Sequence, residues 1–559
     1  MKLNNFSWKL IFLIIFCVAV VSGIYIVLNK KPLSAPISSA PAITPARTSS
    51  ASLAPKSSLF GIMLAYNIND AAMEMSGAVQ KGWTEFTKDK LAYENLKSNL
   101  KKLIQDRVKL VQATGFSLDR ELVPYFTWNI IEPRKGQFDW ELTDTYAQAA
   151  TDAGIKISAV IQPFASWDQK NTPPLVNCQA FDFAYYDYKA SPLNDLAEYE
   201  NFLTKTVERY KDQVAVWEIG NEYDGPCGGY ENNPQGYFDL VKITSAAIKK
   251  ADPQAIVANG GASEVAGAGP GTKSTKNFWT KFFALGGSRY IDYFNFHYNT
   301  ERSQNAELDA ATLEEALAFW NGLLEKNGGR KPLYLTEFGI YSGRPSSEPI
   351  SQESGQVQAS LLAPATPPEQ SPNQPAQNGK CGDGICDDFE KQNSNACPQD
   401  CGGSTPSVNQ GRPSSQPMSG QTLRNLSQAE QAALYFEYGV LAFANGAKTV
   451  FIDLVGLDDS VVGSSMAFKT DGQPRLFLAT LKSIENKING FSDVKKIAAG
   501  QYKFTIGNKD VYALWSGKIP FGISGQIKVT NLQGEEKLMI APEIKFSSQA
   551  PVLLEVQRQ

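Results

Sequence analysis

Two glutamates stand where carboxylate chemistry would need them. Residues 214–220 (VAVWEIG) form an apolar, β-type run closed by Asn221-Glu222, and residues 333–339 (LYLTEFG) form a second run that carries Thr336-Glu337. A strand-end Glu on its own reads as a surface ion pair or a helix cap. Two carboxylates facing each other over a cleft are the minimal machinery for cleaving a glycosidic bond. Other chemistries are thinned by the composition. The chain has one histidine, His297, which excludes an HExxH protease, a zinc site built on several imidazoles and a two-His iron site. Acid–base work must fall mainly to carboxylates, Lys, Tyr or Cys.

The elements that must position these residues alternate in type. Apolar strand windows fall at 60–66, 123–128, 155–162, 214–220, 255–260, 293–298, 333–339 and 449–455, with helical patterns at 91–114, 141–153, 195–212, 235–251, 312–327 and 427–445. The last helix opens on a capping box, Ser427 with Glu430, and closes on Asn445-Gly446. Eight short strands separated by helices predict an α/β fold, a parallel (β/α)8 TIM barrel. A doubly wound sheet would show a Gly-rich loop after its first strand, and AYNINDAA is not one. Barrel chemistry sits at the C-terminal ends of the strands, where both glutamates fall. With 53 basic and 57 acidic residues, a net charge of −4 and no basic block, nucleic acid is not an expected partner.

At these residues the sequence resembles the clan A glycoside hydrolases, retaining (β/α)8-barrel glycosidases. The resemblance rests on WEIGNE (217–222), LTEFG (335–339), TWNIIEPRKGQFDW (127–140) and FNFHYN (294–299), and it covers about 59–340 and 427–488. It implies Glu222 as general acid/base and Glu337 as nucleophile. It further implies Asn221 on the hydroxyl beside the reacting carbon, and His297 and Tyr298 lining the sugar subsite, with Tyr298 or a neighbour bonding the nucleophile. Trp128, Trp167, Tyr66 and Asn67 are further candidates for the mouth, each weighed against ordinary packing. Glu218 shares the strand face of Glu222 and is expected to be structural, paired with Lys, Arg or another donor. The family's strand-two Arg would fall near Val123, with Arg120 the nearest arginine, and its strand-eight Trp is replaced by Asp453 and Leu454. The expected substrate is an oligo- or polysaccharide, with no cofactor and a monomeric chain. A non-catalytic carbohydrate binder or cell-envelope adhesion protein on the same barrel is the alternative.

The flanks place the barrel in a longer design. Residues 10–28 are uncharged and long enough to span a bilayer, so 1–31 reads as a signal-anchor helix, with a cleaved signal peptide as the competitor. A Pro/Ala/Ser linker (32–57) follows, and the catalytic barrel is expected over 58–341 and 426–488, on the extracellular face of the membrane. Between them, 342–425 is a linker insertion around a Cys-rich module, 381–401. In an exported protein its Cys381, Cys386, Cys397 and Cys401 predict two disulfides in one of three connectivities. Asp383, Asp387, Asp388 and Glu390 form an acidic loop with the oxygen chemistry for Ca²⁺, though a solvated loop is the simpler reading. Cys178 and Cys227, in the loops after strands three and four, are expected to pair. Alternating short strands from 489 to 559 predict a C-terminal antiparallel β-sandwich.

Overall fold

The computed structural model describes residues 58–63, 90–121, 125–169, 193–225, 229–230, 232–263, 270–299, 306–340, 426–453, 467–469 and 473–558. The expected anchor and linker (1–57), Tyr66 and Asn67, Cys178 and Cys227, and the expected insertion with its four cysteines and acidic loop lie outside the described residues. Among the described residues no helix is long and apolar enough to cross a membrane.

Eight parallel strands alternate with eight helices. The strands are β1 (Phe60–Met63), β2 (Leu118–Glu121), β3 (Lys156–Ile161), β4 (Val214–Ile219), β5 (Val257–Asn259), β6 (Phe294–Asn299), β7 (Leu333–Gly339) and β8 (Ala447–Asp453). The helices after them are α1 (Lys90–Thr114), α2 (Glu141–Asp152), α3 (Leu196–Tyr210), α4 (Pro234–Ala251), α5 (Pro270–Ala284), α6 (Ala306–Lys326), α7 (Gln428–Ala444) and α8 (Leu476–Ile488). The sheet order is β5-β4-β3-β2-β1-β8-β7-β6, and parallel bridges from Ala258 to Tyr293 and from Ala262 to Phe296 bring β5 against β6. The result is the expected TIM barrel.

The sequence windows and the structure part company at strand two. The apolar window 123–128 is not the strand. Instead Leu-Asp-Arg-Glu (118–121) is, with all four residues buried, while Trp128–Ile131 forms a single helical turn. Three charges in a four-residue buried strand are tolerable because each is paired. Asp119 and Glu121 reach Arg107 of α1 at 2.7 and 2.6 Å, and Arg120, on the opposite face, reaches Glu218 of β4 at 3.0 Å. A search for apolar runs passes over such a strand.

Helix α7 carries the predicted capping box, Ser427 with Glu430, and ends at Asn445 with Gly446 at φ +98°. It is buried nearly all round, because it lies between β8 and α8 and its outer face meets the C-terminal sheet, where Phe436 packs on Trp515. That sheet holds β9 (Asp493–Ala498), β10 (Gln501–Ile506), β11 (Lys509–Leu514), β12 (Gln526–Thr530), β13 (Glu536–Ile540) and β14 (Val552–Gln557), ordered β13-β12-β14-β11-β10-β9, all antiparallel. Alternation sends Val511, Ala513 and Leu553 into the barrel's core, and Leu514, Val552 and Leu554 into a second apolar cluster on the other face. This is the sandwich-like tail that the short alternating strands predict.

Candidate active site

Glu222 lies just past the end of β4 and Glu337 lies in β7. Their side chains are 39% and 20% exposed, so both open toward solvent. One oxygen of each and a ring nitrogen of His297 all lie within 4.8 Å of one another. A register shift between Phe296 and His297 sets His297 directly beside Glu337 across the β6–β7 pair. The backbone of Glu222 is unusual. It is the one non-glycine residue with positive φ among the described residues (47°), a conformation costing roughly 1–2 kcal/mol for an L-residue. Its N–H donates to the carbonyls of both Gly260 and Gly261 at 3.1 Å. Gly261 must lack a side chain, since a Cβ there would fall 2.1 Å from His297 Nε2.

Beneath the two carboxylates runs a polar network filling the barrel's interior. Arg120, fully buried, donates to both oxygens of Glu218 (3.0 and 3.1 Å), to Asn221 Oδ1 (2.7 Å) and to Glu337 Oε1 (3.2 Å). Burial works against its charge, but Glu218 and Glu337 outweigh burial and push its pKa up. Glu218 also accepts from Ser158 Oγ (2.6 Å) and Asn295 Nδ2 (2.8 Å), so it has the structural role expected of it. Arg120 stands on the true strand two, within reach of Glu337. The window 123–128 sets strand two too late, which is why the sequence reading finds no arginine on it.

The network assigns the histidine tautomer. Asn295 presents Nδ2 to Glu218, so its Oδ1 must accept the Thr336 hydroxyl, at 2.7 Å. With its proton so placed, Thr336 Oγ1 can only accept from His297 Nε2, at 3.1 Å. His297 therefore carries its proton on Nε2 when neutral, and Nδ1 faces Glu222 Oε1 at 2.7 Å as an acceptor. One proton is shared between that nitrogen and that carboxyl. The Glu222–His297–Glu337 trio is also the one group of three among the described residues with the spacing to hold a metal ion. Arg120 already supplies positive charge at Glu337, so the trio reads as an acid–base cluster.

Asn221 sits between β4 and Glu222 with its oxygen held by Arg120, which leaves its amide nitrogen as the end turned away from the guanidinium. Other expected contacts fall elsewhere. Trp128 is fully buried rather than at the mouth. It packs edge-on to Trp167 at 5.0 Å and against Tyr199, and donates to Glu132 Oε2 at 2.7 Å. Trp167 is half-buried, with its indole N–H on the Glu132 carbonyl. Tyr298 alternates away from His297 and is buried against Phe338 and Tyr438. The residues that reading by strand ends misses are Asn295, Gly260 and Gly261. Asn295 was legible from its i, i+2 relation to His297 in FNFHYN, and the glycine pair from the NGG that closes β5.

No protein-family model matches the chain. A stretch of 122 residues, 20% of this chain, is 28% identical to β-galactosidase LacZ of Lactobacillus acidophilus, and the chain spans 18% of that relative's length. Among solved structures, a family 39 glycoside hydrolase from Bacteroides cellulosilyticus WH2 superposes with a TM-score of 0.51 at 13% identity, over 90% of this chain and 81% of that one. A GH39 β-xylosidase from Caulobacter crescentus gives 0.48 at 11% identity, over 89% and 96%. The structural neighbours are glycoside hydrolases. This chain is an eight-stranded parallel barrel with the fold of the Bacteroides enzyme, and the fold is what that likeness establishes.

Proposed function

We propose that the protein is a retaining glycoside hydrolase that cleaves O-glycosidic bonds by double displacement. The observation that carries this is the approach of Glu222 and Glu337, within 4.8 Å at the strand ends of β4 and β7, on the short side of the two carboxylate separations that distinguish retaining from inverting enzymes. Glu337, beside the permanently charged Arg120, is the nucleophile. It attacks the anomeric carbon as the bond to the leaving oxygen breaks, and Glu222 gives that oxygen its proton. Once Glu337 is esterified, its negative charge is gone. Glu222 then takes a proton from water, which attacks the anomeric carbon and frees Glu337. The proton shared between His297 Nδ1 and Glu222 Oε1 gives the pair an acid to deliver in the first step. Asn221 offers its amide nitrogen to the hydroxyl beside the reacting carbon, where contacts tighten in the transition state.

The β-galactosidase relatives make aryl β-galactosides the first substrates to try, followed by other aryl β-glycosides. The panel takes wild type, Glu337→Gly and Glu222→Ala with added azide. Rescue yielding glycosyl azides of opposite anomeric configuration in the two variants supports the roles. Sugar binding without turnover on any glycoside would favour a carbohydrate-binding protein on the same barrel. The proposal also keeps the chain on the outer face of a membrane, on the strength of its apolar residues 10–28. Surface protease treatment of intact cells that left the chain uncleaved would count against that placement.

A further inference from the structure

We propose that Asp224 is a positioning residue for Glu222: a buried carboxylate that clamps the turn carrying the acid/base to the β5 side of the barrel and sets a negative charge beside it. The inference rests on the glycosidase reading above and extends it to a residue two positions further along the chain. A left-handed Glu222 must be held from outside, because the residue's own backbone preference opposes it. On the β5 side three ties hold it, while the Gly220 N–H on the Ile161 carbonyl and the Tyr223 hydroxyl on Gln162 Oε1 secure the turn against β3. The Glu222 N–H bonds Gly260 and Gly261. The Tyr237 hydroxyl, from α4, donates to the Ile219 carbonyl at 3.0 Å and accepts from Gly260 N–H at 2.9 Å. Asp224, 1% exposed, is the third. Its carboxylate accepts the Ser263 N–H at 3.1 and 3.2 Å, the Ser263 hydroxyl at 3.2 Å and the Trp279 indole N–H of α5 at 3.0 Å. The approach is close, since a Cβ on Gly225 would fall 2.8 Å from Ser263 Oγ.

The side chain also matters as a charge. The groups facing it are Glu222 on its own turn, Tyr237 from α4, Ser263 after β5 and Trp279 from α5. Glu222 itself faces His297 and, through it, Glu337. Burial raises Asp224 to about 6, and the nearby charge of Glu222 adds to this against the pull of Ser263 and Trp279. Above that pH Asp224 is ionised, and a second negative charge on Glu222 becomes harder to form. The acid/base then keeps its proton to higher pH.

Asp224→Asn keeps the shape and an acceptor oxygen while removing the charge, and Trp279→Phe removes one donor and leaves the carboxylate. Each is compared with wild type on a phenyl glycoside, which needs its leaving oxygen protonated, and on a dinitrophenyl glycoside, which does not. The expected result for Asp224→Asn is a loss in kcat/KM at least about tenfold larger on the phenyl substrate, with the alkaline limb moved to lower pH. Trp279→Phe should lose in the same direction by less. Equal losses on both substrates with the limb unmoved would make Asp224 a structural strut and overturn the proposal. A measurement independent of turnover uses ¹³C-carboxyl-labelled glutamate, with the Glu222 resonance identified by its absence in Glu222→Gln. Its titration midpoint should fall in Asp224→Asn, and an unmoved midpoint overturns the proposal even if wild type hydrolyses nothing, a result that would separately sink the glycosidase reading. If Asp224→Asn does not fold, Trp279→Phe carries both measurements, and no change in either overturns the clamp.

Discussion

Replacing Thr336 with valine keeps the shape of a fully buried side chain and removes the hydroxyl that joins His297 to Asn295. Two buried polar groups lose their partner at once, the His297 Nε2–H and the Asn295 Oδ1. Each orphaned group costs about 1–3 kcal/mol, so the folded state should lose about 2–6 kcal/mol. The chemical consequence is separate. Without Thr336 to accept it, the ring proton is free to move to Nδ1, which changes from accepting Glu222's proton to donating toward its carboxylate. A donor favours the ionised form, so Glu222 should release its proton at lower pH and the alkaline limb of kcat/KM should move down by about one unit, a tenfold loss of acid at a given pH. The assay is unusually clean because His297 is the chain's single histidine. With ¹⁵N-labelled histidine and a histidine-free purification tag, one set of ring resonances reports tautomer and charge directly. Wild type should show the proton on Nε2, and Thr336→Val should not hold that pattern. A wild-type ring protonated on Nδ1 alone, or a variant whose ring signals and pH limb match wild type, would refute the hydrogen-bond polarity argued for the site.

Three further perturbations follow from the same contacts. Arg120→Met should destabilise by about 3–5 kcal/mol, because it leaves Glu218 charged and uncompensated in the barrel, and thermal unfolding should reveal the loss even where activity is too low to measure. Gly261→Ala drives a methyl into the His297 ring and should cut kcat/KM by about 100-fold, the scale of an ångström-sized misplacement, with kcat falling more than KM rises. Glu132, which accepts from Trp128 and from Gly136 N–H, is raised by burial to about 7. The native state then holds that proton more tightly than the unfolded chain, so this group's contribution to stability is present below the ordinary glutamate range and is lost as pH rises toward 7. The melting temperature should decline between pH 5 and 8 in wild type and decline less in Glu132→Gln.

Much of this was legible in the residues because it depends on local pattern. Strands β3, β4, β6 and β7 are apolar runs whose polar ends mark the site, and α7 announces both of its ends through Ser427, Glu430 and Gly446. Strand β2 was not legible, because its charges are tolerated only through partners on other elements: Asp119 and Glu121 are stabilised by Arg107 of the preceding helix, and Arg120 by Glu218, some hundred residues away. Tryptophans tell the same story. A Trp near a barrel mouth has the chemistry of a sugar platform, yet Trp128 is enclosed by Trp167, Tyr199 and Phe202, and only three-dimensional packing decides between those roles. Short-range spacing placed Glu222, His297 and Glu337 at strand ends. That they converge on one cluster, with Glu222 and His297 sharing a proton, depends on Thr336, Asn295 and the glycine pair at 260–261, and so on how four strands stack.

Everything proposed for the site turns on attack of Glu337 on the anomeric carbon. It is tested most directly by incubating the protein with an activated 2-deoxy-2-fluoro glycoside of the preferred sugar and measuring intact mass, followed by peptide mapping. The expected result is a stable adduct of one fluoroglycosyl group, located on Glu337 and absent in Glu337→Gln. A fully active enzyme that forms no adduct and releases product of inverted anomeric configuration, or one whose adduct maps to another residue, would contradict it.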